Sequence, residues 1–202
     1  MSLSTRSGRP RSNQVTTTVL KAALNLAKTG GISYATIERI SQCTGVAKST
    51  IYRRWPNASA IVMDAFLQDI GPLILYEKYS SITDTVRTTL YSLVDALTGE
   101  RGELLRHLLG LAQFETELQE AFLQRWIMPR RQLGLRALKQ AIESKDLSPK
   151  TDPELILDML YGAIYYRLVV SFEQPDTQFM DNLVDRVFHG LLCNNESPAV
   201  EK

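Results

Sequence analysis

Apolar side chains recur every three or four residues along most of the chain, and no stretch shows the sustained alternation of a β-strand. The first such stripe runs from Val15 to Ala27 and stops at Gly30 and Gly31. Glycine at such a position supplies the left-handed turn that commonly ends a helix. The pattern therefore predicts an all-α protein that opens with a long supporting helix.

Two short helices are predicted next along the chain. The first begins at Thr36 and places its isoleucines and Thr44 on one face. Gly45 interrupts the pattern, and the following helix runs from Lys48 to Arg54, about two turns at 3.6 residues per turn. Two short helices joined across a glycine after a longer helix fit a helix-turn-helix, whose second helix enters the major groove of DNA.

Larger amphipathic helices are predicted for the rest of the chain. Asn57 is the expected cap of a fourth helix, and Asp152, followed by a proline, is a strong start signal for a later one. Thr116 and Gln119 have capping-box spacing and predict the start of a long helix that kinks at Pro129. Further apolar stripes cover residues 86–97, 104–112, 155–172 and 180–192.

The composition is that of a soluble globular protein, with 44% hydrophobic and 22% charged residues in a chain of 202. Cys43 and Cys193 lie far apart and belong to no metal-ligand cluster, so neither a disulfide framework nor a zinc site is expected. No stretch has the apolar core of a signal peptide, and the most apolar segment, residues 161–172, is too short to span a bilayer. We expect a cytoplasmic protein that does not enter a membrane.

Charge is divided unevenly along the chain. Residues 1–60 carry nine lysines and arginines against a single acid, Glu38, which gives a net charge of +8. Residues 61–202 carry fourteen basic and twenty-one acidic side chains, which gives −7. A basic head on an acidic body indicates that the head meets a polyanion, and a chance imbalance on a solvated surface is the alternative.

The segment GVAKSTIYRRW, residues 45–55, concentrates three cations, two aromatic rings and two hydroxyl side chains. Lys48 followed by Ser49 is similar to the end of a phosphate-binding P-loop, but that loop needs glycines where Gln42 and Ala47 stand. The nucleotide-binding interpretation is therefore excluded. A helix that lies on DNA and an ordinary charged surface helix remain as alternatives.

Residues 36–41 read TIERIS and residues 44–56 read TGVAKSTIYRRWP. In order and spacing this segment resembles the DNA-binding head of the tetracycline-repressor (TetR/AcrR) family, and the likeness extends over about residues 14–66. Residues 161–167 are similar to one branch of the family's regulatory domains. The resemblance implies a three-helix helix-turn-helix DNA-binding domain, residues 1–60, packed on a larger helical ligand-binding and dimerisation domain, residues 61–202.

The resemblance and the chemistry of the side chains give the same roles. Lys48, at the start of the third helix, is placed to reach a base edge or a phosphate, and Tyr52 one turn later offers its hydroxyl to a phosphate. Arg53 is equipped for a bidentate contact to guanine. The predicted DNA-contacting residues are Thr36, Ala47, Lys48, Ser49, Thr50, Tyr52 and Arg53, together with Arg9 and Arg11 of a basic N-terminal arm.

Other residues near this surface have different expected roles. Val46 and Ile51 should face inward, and Trp55 should pack in the core. The arm around Arg9 is expected to lie in the minor groove or along the DNA backbone, with a disordered tail as the alternative. At Ala58 the family commonly has a lysine, so that phosphate contact is not carried over.

The body is expected to dimerise and to bind an effector. Its two C-terminal helices have apolar faces wide enough for a core and a partner, which favours a homodimer that reads a palindromic operator; the alternative is that these faces only fill the monomer core. The resemblance further implies an effector pocket in the middle helices, and its aromatic lining favours an apolar or aromatic ligand. The candidate lining residues, for each of which core packing is the alternative, are Tyr91, His107, Leu111, Phe114, Phe122, Trp126, Tyr161 and Tyr165.

Enzymatic motifs are missing from the sequence. His107 and His189 are isolated, and His107 on an apolar stripe is typical of a core histidine. We therefore expect no catalysis, no cofactor and no bound metal. The sequence predicts a ligand-responsive transcriptional repressor, and the alternatives are an activator or nucleoid-associated factor without a small ligand, or a helical adaptor whose basic head binds an acidic protein.

Overall fold

The computed structural model describes residues 10–71 and 81–190, with side chains from Asn13 onward, and every regular element in these ranges is helical. The helices are α1 (Pro10–Gly30), α2 (Ile37–Thr44), α3 (Lys48–Tyr52), α4 (Ala58–Ile70), α5 (Ile82–Ala96), α6 (Glu100–Ala112), α7 (Thr116–Phe122), α8 (Met128–Glu143), α9 (Pro153–Tyr165) and α10 (Thr177–His189). A 3-10 turn follows α1 at Ile32–Tyr34, and π-helical turns follow α7 at Leu123–Ile127 and α9 at Tyr166–Val170. The all-α prediction is confirmed. None of these described helices is long and apolar enough to cross a bilayer.

The chain divides into two compact units. The first comprises residues 1–76 with 92–133, and the second comprises residues 77–91 with 134–202. Packing thus groups the predicted helix-turn-helix with α4, α6 and α7. The functional division expected at residue 60 is not tested by this grouping and stays a prediction.

The core of the first unit forms around α4, which packs against α1, α6 and α7. The sequence of α4 is apolar on nearly all sides, as a helix surrounded by others requires. Each large side chain buried here contributes about 1.5–3 kcal/mol relative to an exposed position. Among the described residues of this unit, the side chains with an exposed fraction of 0% are Val19, Ala23, Ala35, Ile40, Ile51, Ile61, Val62, Met63, Phe66, Ile70, Leu108 and Trp126.

Two predicted helix caps, Asn57 and Asp152, are confirmed by hydrogen bonds, and Thr36, predicted to open the second helix, also acts as a cap. Thr36 Oγ1 accepts from the Arg39 N–H at 3.3 Å, and Asn57 Oδ1 accepts from the Ala60 N–H at 2.8 Å. Asp152 Oδ1 accepts from the Glu154 N–H at 2.9 Å and from the Leu155 N–H at 3.3 Å, and the predicted proline, Pro153, begins α9 directly after this cap. Each bond satisfies a backbone donor that the helix itself leaves free.

The long helix predicted from Thr116 is interrupted, and its capping box is wrong. Glu115 precedes α7 as the capping residue without a side-chain hydrogen bond, so Thr116 is already helical. The irregularity lies one turn before Pro129, as the π turn Leu123–Ile127, whose widened bond runs from the Met128 N–H to the Leu123 carbonyl. A proline removes one backbone donor and crowds the carbonyl four residues earlier, and a π turn relieves that crowding without breaking the helix.

The second unit contains an ion-pair cluster that joins α5 to α10. Arg87 lies 3.1 Å from Asp84 of its own helix, 2.9 Å from Asp181 and 2.8 Å from Asp185. The adjacent Tyr91 hydroxyl donates to Asp181 at 2.7 Å. These contacts join polar side chains of α5 to polar side chains of α10, and α10 also packs against α9.

The helical stripe predicted for residues 155–172 ends earlier than expected. Regular α-helix stops at Tyr165, a π turn carries the chain to Val170, and Phe172 has a φ of 56°. A positive φ is uncommon for an aromatic residue and marks the end of the helical backbone. The last helix, which the apolar stripe over residues 180–192 predicted, begins at Thr177 under an Asp176 cap that was not predicted, and Leu191 and Leu192 lie outside the described residues.

Candidate nucleic-acid interface

Two hydroxyl side chains fix the turn between α2 and α3. Gly45 has a φ of 69°, in the left-handed region, and donates its N–H to the Ser41 carbonyl at 2.9 Å. The Ser41 hydroxyl donates to the Val46 carbonyl at 2.8 Å, and Thr44 Oγ1 accepts from the Val46 N–H at 3.2 Å. These local hydrogen bonds satisfy the polar groups of the turn that joins α2 to α3. Gly45 was predicted, but the roles of the two hydroxyls were not.

The third helix presents a polar face because its apolar side chains are anchored beneath it. Ile51 is fully buried, Trp55 is 6% exposed, and Val46 is half-buried, as the sequence predicted for all three. Regular helix ends at Tyr52, two residues before the predicted end. Of the predicted contact residues in this head, Thr36 and Thr50 are half-buried. The exposed ones are Ala47, Lys48, Ser49, Tyr52 and Arg53.

Trp55 joins the end of the helix-turn-helix to α4. Its indole N–H donates to Asp64 Oδ2 at 2.9 Å. The second carboxylate oxygen of Asp64 is hydrogen-bonded to Arg125 in the first π turn. One side chain of α4 therefore contacts both the head and the segment that follows α7, an arrangement that no sequence pattern indicated.

Two cations of the head are engaged by neighbours in the structure. Lys48 Nζ lies 2.8 Å from Glu38 Oε1, and both side chains are about half exposed, at 50% and 56%. The guanidinium of Arg39 stacks over the Tyr34 ring at 3.7 Å and donates to the Tyr34 carbonyl at 3.3 Å. The hydrogen bond from Lys48 holds the pKa of the Glu38 carboxyl below its ordinary value of 4.5.

The N-terminal arm is only partly described. Helix α1 begins at Pro10, so the backbone of Arg11 is helical and does not belong to the flexible arm that the sequence predicted. The side chain of Arg11 and the whole of Arg9 lie outside the described residues. A contact between either arginine and DNA stays a prediction.

Two candidate effector residues, Phe122 and Trp126, lie in the core of the first unit. Trp126 is fully buried, with ring centroids 5.2 Å from Phe66 and 6.3 Å from Phe122. The Arg130 guanidinium covers the Trp126 ring at 3.7 Å and donates to the Trp126 carbonyl at 2.8 Å. These rings pack against one another in the structure, which agrees with the core-packing alternative. A role of Phe122 and Trp126 in ligand binding stays a prediction.

The other candidate effector residues differ in how far their side chains are exposed, and their role in ligand binding stays a prediction. His107 is exposed on α6, so its interpretation as a core histidine is wrong, and Phe114 is 90% exposed. The apolar period of α6 is carried by leucines such as Leu108, and the histidine before it falls on the solvent side. Leu111 in the first unit, and Tyr91, Tyr161 and Tyr165 in the second, are half-buried.

A groove of about 520 Å³ lies elsewhere, in the head. It runs between α1 and the end of α2, and none of the candidate effector residues lines it. Its lining includes Lys21, Asn25, Tyr34 and Cys43. Within the part of the chain that the structure describes, no group of three or more histidine, cysteine or acidic side chains could hold a metal ion.

Two protein-family models match the chain, one in its N-terminal part and one in its C-terminal part. Residues 19–63 match the family described as bacterial regulatory proteins of the tetR family. Residues 80–187, more than half of the chain, match the family described as the tetracyclin repressor-like C-terminal domain. The chain belongs to the tetracycline-repressor family. This TetR-family protein is a helix-turn-helix transcriptional regulator, as its sequence predicted.

Relatives of this TetR-family regulator match most of its length. The HTH-type transcriptional regulator YdeS of Bacillus subtilis is 29% identical over 198 residues, which cover 98% of this chain and 100% of YdeS. The TetR family transcription regulator SCO0332 is 28% identical with a TM-score of 0.76, and the match covers 89% of this chain and 100% of that one. FadR of Bacillus subtilis, solved in complex with stearoyl-CoA, is 17% identical with a TM-score of 0.70, covering 87% and 99% of the two chains, and shares the fold.

Family membership establishes the general mode of action. TetR-family regulators bind DNA and small-molecule effectors and are typically dimers. The predicted architecture, an N-terminal TetR-type helix-turn-helix followed by a larger C-terminal helical domain, is confirmed. The exposed polar face of α3 lies within the residues that match the tetR family.

Proposed function

We propose that this protein is a repressor that binds a palindromic operator as a homodimer and leaves it when a small apolar or aromatic effector binds. The observation that carries the proposal is the face of α3, whose polar side chains are exposed above a buried Ile51 and a hydrogen-bonded turn. A rigid element with outward polar side chains is what major-groove recognition requires. The basic charge of residues 1–60 favours the same partner.

Specific roles in DNA binding follow from exposure and chemistry. Arg53, exposed at the end of α3, is the proposed bidentate reader of guanine. The Tyr52 hydroxyl is the proposed donor to a phosphate, supported by an exposed fraction of 53%. Thr36 accepts from a backbone N–H of α2, and that bond leaves the hydroxyl hydrogen for a second phosphate. Ser49 and Thr50 complete the proposed groove-facing surface, with Ala47 as an apolar contact beside them.

An exposed apolar stripe supports the proposed homodimer. Leu155, Met159, Tyr166 and Val170 lie one or two turns apart along α9 and its π turn, and their exposed fractions are 55%, 46%, 60% and 58%. The opposite face of the same helix is buried, through side chains such as Leu160. A contiguous apolar stripe of this kind marks an association surface, and a second copy of the same stripe is complementary to it.

The dimer is tested by sedimentation of the full chain. Met159→Glu places a charge in the middle of the stripe and should shift the protein toward the monomer at micromolar concentration. Gln140→Glu, an exposed position of α8, adds the same charge in the second unit and should leave the sedimentation coefficient unchanged. A wild-type protein that sediments as a monomer at every concentration would contradict the proposed assembly.

Effector control is proposed to act through the segment around the first π turn. Phe122 and Trp126 flank Arg125, which shares Asp64 with Trp55 at the end of the helix-turn-helix. A ligand that enters beside these rings has to displace packed side chains, and it shifts the protein only if it binds the DNA-incompetent state more tightly. A shift from 1% to 99% of that state requires about a ten-thousandfold difference in affinity.

Ligand entry can be followed with the two tryptophans of the chain. In a Trp55→Phe variant the fluorescence reports Trp126 alone, which is fully buried. Stearoyl-CoA, taken from the FadR complex, and naphthalene are the first probes. Because Trp55→Phe also removes the contact with Asp64, release of a bound duplex is measured in the unaltered protein. Release over the same ligand concentrations that change Trp126 emission supports the effector site, whereas emission that changes without release separates binding from control.

The DNA-binding proposal is tested by a mobility shift on the duplex upstream of the coding region, against a scrambled duplex at near-physiological salt. We expect preference for the upstream duplex by several orders of magnitude and a footprint of two half-sites. Arg53→Ala should reduce that preference, whereas Tyr52→Phe should weaken binding to both duplexes alike. Equal, weak and salt-sensitive binding to both duplexes would contradict the proposal and favour a head that binds an acidic protein.

A further inference from the structure

Glu38 stands out by charge and by position. It is the single acid among residues 1–60, where nine lysines and arginines surround it in the sequence. Its carboxylate lies 2.8 Å from the ammonium of Lys48, the first residue of α3. The lone negative charge of the head is therefore paired with a cation of the proposed DNA-reading surface.

The local fold explains why these two residues meet. Glu38 is the second residue of α2 behind the Thr36 cap, where the helix dipole favours a negative charge. The left-handed Gly45 turns the chain so that Lys48, ten residues later, comes back over the start of α2. Arg39, the nearest alternative cation in sequence, is stacked on Tyr34. The pairing of Glu38 with Lys48 is thus built by the helix-turn-helix itself.

A paired lysine contributes little to binding of arbitrary DNA. Affinity for random sequence comes almost entirely from cations that neutralise phosphates and release counterions. Lys48 already has an anion at 2.8 Å, so neutralising a phosphate means giving up Glu38 and leaving that carboxylate beside the polyanion. A base edge in the major groove presents partial charges and directional acceptors, to which a held lysine can donate without leaving its carboxylate.

We infer that Glu38 is a specificity-determining residue that withholds Lys48 from the phosphate backbone and thereby lowers affinity for DNA of arbitrary sequence. The inference rests on the proposed DNA-binding role of the head. It assigns to Lys48 the reading of a base edge and to Glu38 the positioning of that lysine. Specificity then increases because non-operator DNA is bound less tightly, not because the operator is bound more tightly.

The test measures affinity for a random-sequence duplex at several salt concentrations between 50 and 200 mM, a range chosen for the steep salt dependence expected of phosphate contacts. Glu38→Gln should free Lys48 for one more phosphate, so the slope of log K against log salt steepens by about 0.9 and affinity at 0.1 M salt rises about eightfold. In that background Lys48→Met should remove the whole gain. In the parent protein Lys48→Met should change the slope by much less.

Two controls separate this effect from net charge and from folding. Glu117→Gln removes the same charge from the same second position of α7, outside the helix-turn-helix, and should leave the slope unchanged. Glu38→Ala keeps high helix propensity and should reproduce the slope of Glu38→Gln. Thermal melts of each variant show whether α2 remains folded, and a purely stabilising role of Glu38 would lower the melting temperature without altering the slope.

The outcomes distinguish this inference from the proposed function. Equal effects of Lys48→Met on the slope in both backgrounds would overturn the role of Glu38 while leaving DNA binding intact. A steeper slope in Glu117→Gln as well would assign the gain to net charge and would also overturn it. Failure of the folded parent protein to bind any duplex would overturn the proposed function, and the inference with it.

Discussion

Asp64 is the side chain whose replacement tests the architecture most sharply. It accepts the Trp55 indole N–H at 2.9 Å and also pairs with Arg125, while its own side chain is 22% exposed. Asp64→Ala removes the acceptor of the Trp55 indole N–H, and this donor is buried because Trp55 is only 6% exposed. A buried donor without a partner costs about 1–3 kcal/mol, and a hydrogen bond to a charged group contributes about 1.5–3 kcal/mol. We expect Asp64→Ala to lower the free energy of unfolding by about 2–4 kcal/mol.

Asparagine at the same position separates the two contacts of Asp64. Its carboxamide oxygen still accepts from Trp55, and only the charge opposite Arg125 is lost. Because Arg125 is 47% exposed, solvent screens that ion pair and limits its contribution to about 1 kcal/mol at most. Asp64→Asn should therefore be the milder variant by at least about 1 kcal/mol.

Urea denaturation of the four proteins of a double-mutant cycle measures these energies. Trp55→Phe removes the indole donor, so in that background the cost of Asp64→Ala should fall by about 1–3 kcal/mol. The denaturant slope should stay the same, because neither variant changes the surface exposed on unfolding. Equal costs for the alanine and asparagine variants, or an unchanged cost of Asp64→Ala beside Trp55→Phe, would refute the bridge between the head and α4.

Three further predictions concern backbone and titration. Gly45→Ala should destabilise the protein by about 1–2 kcal/mol because of the φ of 69°, whereas Gly110→Ala, inside α6 with open space around a Cβ, should stabilise it by up to about 1 kcal/mol in the same melts. Burial, and then a hydrogen bond to a carboxylate of α10, raise the pKa of Tyr91 above 10, so this tyrosine's contribution to stability is present below pH 10 and is lost as the pH rises further. Tyr91→Phe should flatten stability against pH in that alkaline window, and an unchanged curve would contradict the assignment. The pKa of Glu38 is lowered from 4.5, so its contribution is present above pH 4.5 and is lost on acidification, and carbon NMR of the carboxyl should show the pKa returning toward 4.5 in Lys48→Met.

Local chemistry made much of the head predictable. Thr36 was identified as the start of a helix and Asn57 as a cap from residue type and neighbours alone, as was the cap Asp152 outside the head, because a cap satisfies backbone donors within three residues of itself. Gly45 was predictable for the same reason, since a left-handed residue between two helices strongly favours glycine. Burial of Ile51 followed from the helical period.

Features that depend on contacts between distant residues were not predictable. Lys48 meets Glu38, and Trp55 meets Asp64 and Arg125, across separations that carry no periodic signal. The exposure of His107 was misjudged because an apolar stripe specifies a face only to within about one residue, or 100° of rotation. Which aromatic side chains open to an effector depends on tertiary packing, so the candidate effector residues could be predicted by residue type alone.

The π turn at Tyr166–Val170 has a consequence for the phase of the apolar stripe on α9. In a regular α-helix each residue advances about 100°, so a step of four residues overshoots a full turn by about 40°. Tyr166 and Val170 are one such step apart, so in a regular helix the stripe would move about 40° around the axis between them. In the π turn the Ser171 N–H bonds to the Tyr166 carbonyl, five residues back, so each residue advances by less and Val170 stays short of that overshoot. Deleting a single residue from this turn would therefore remove little helical structure, but it would rotate Val170 around the helix axis and away from the rest of the stripe.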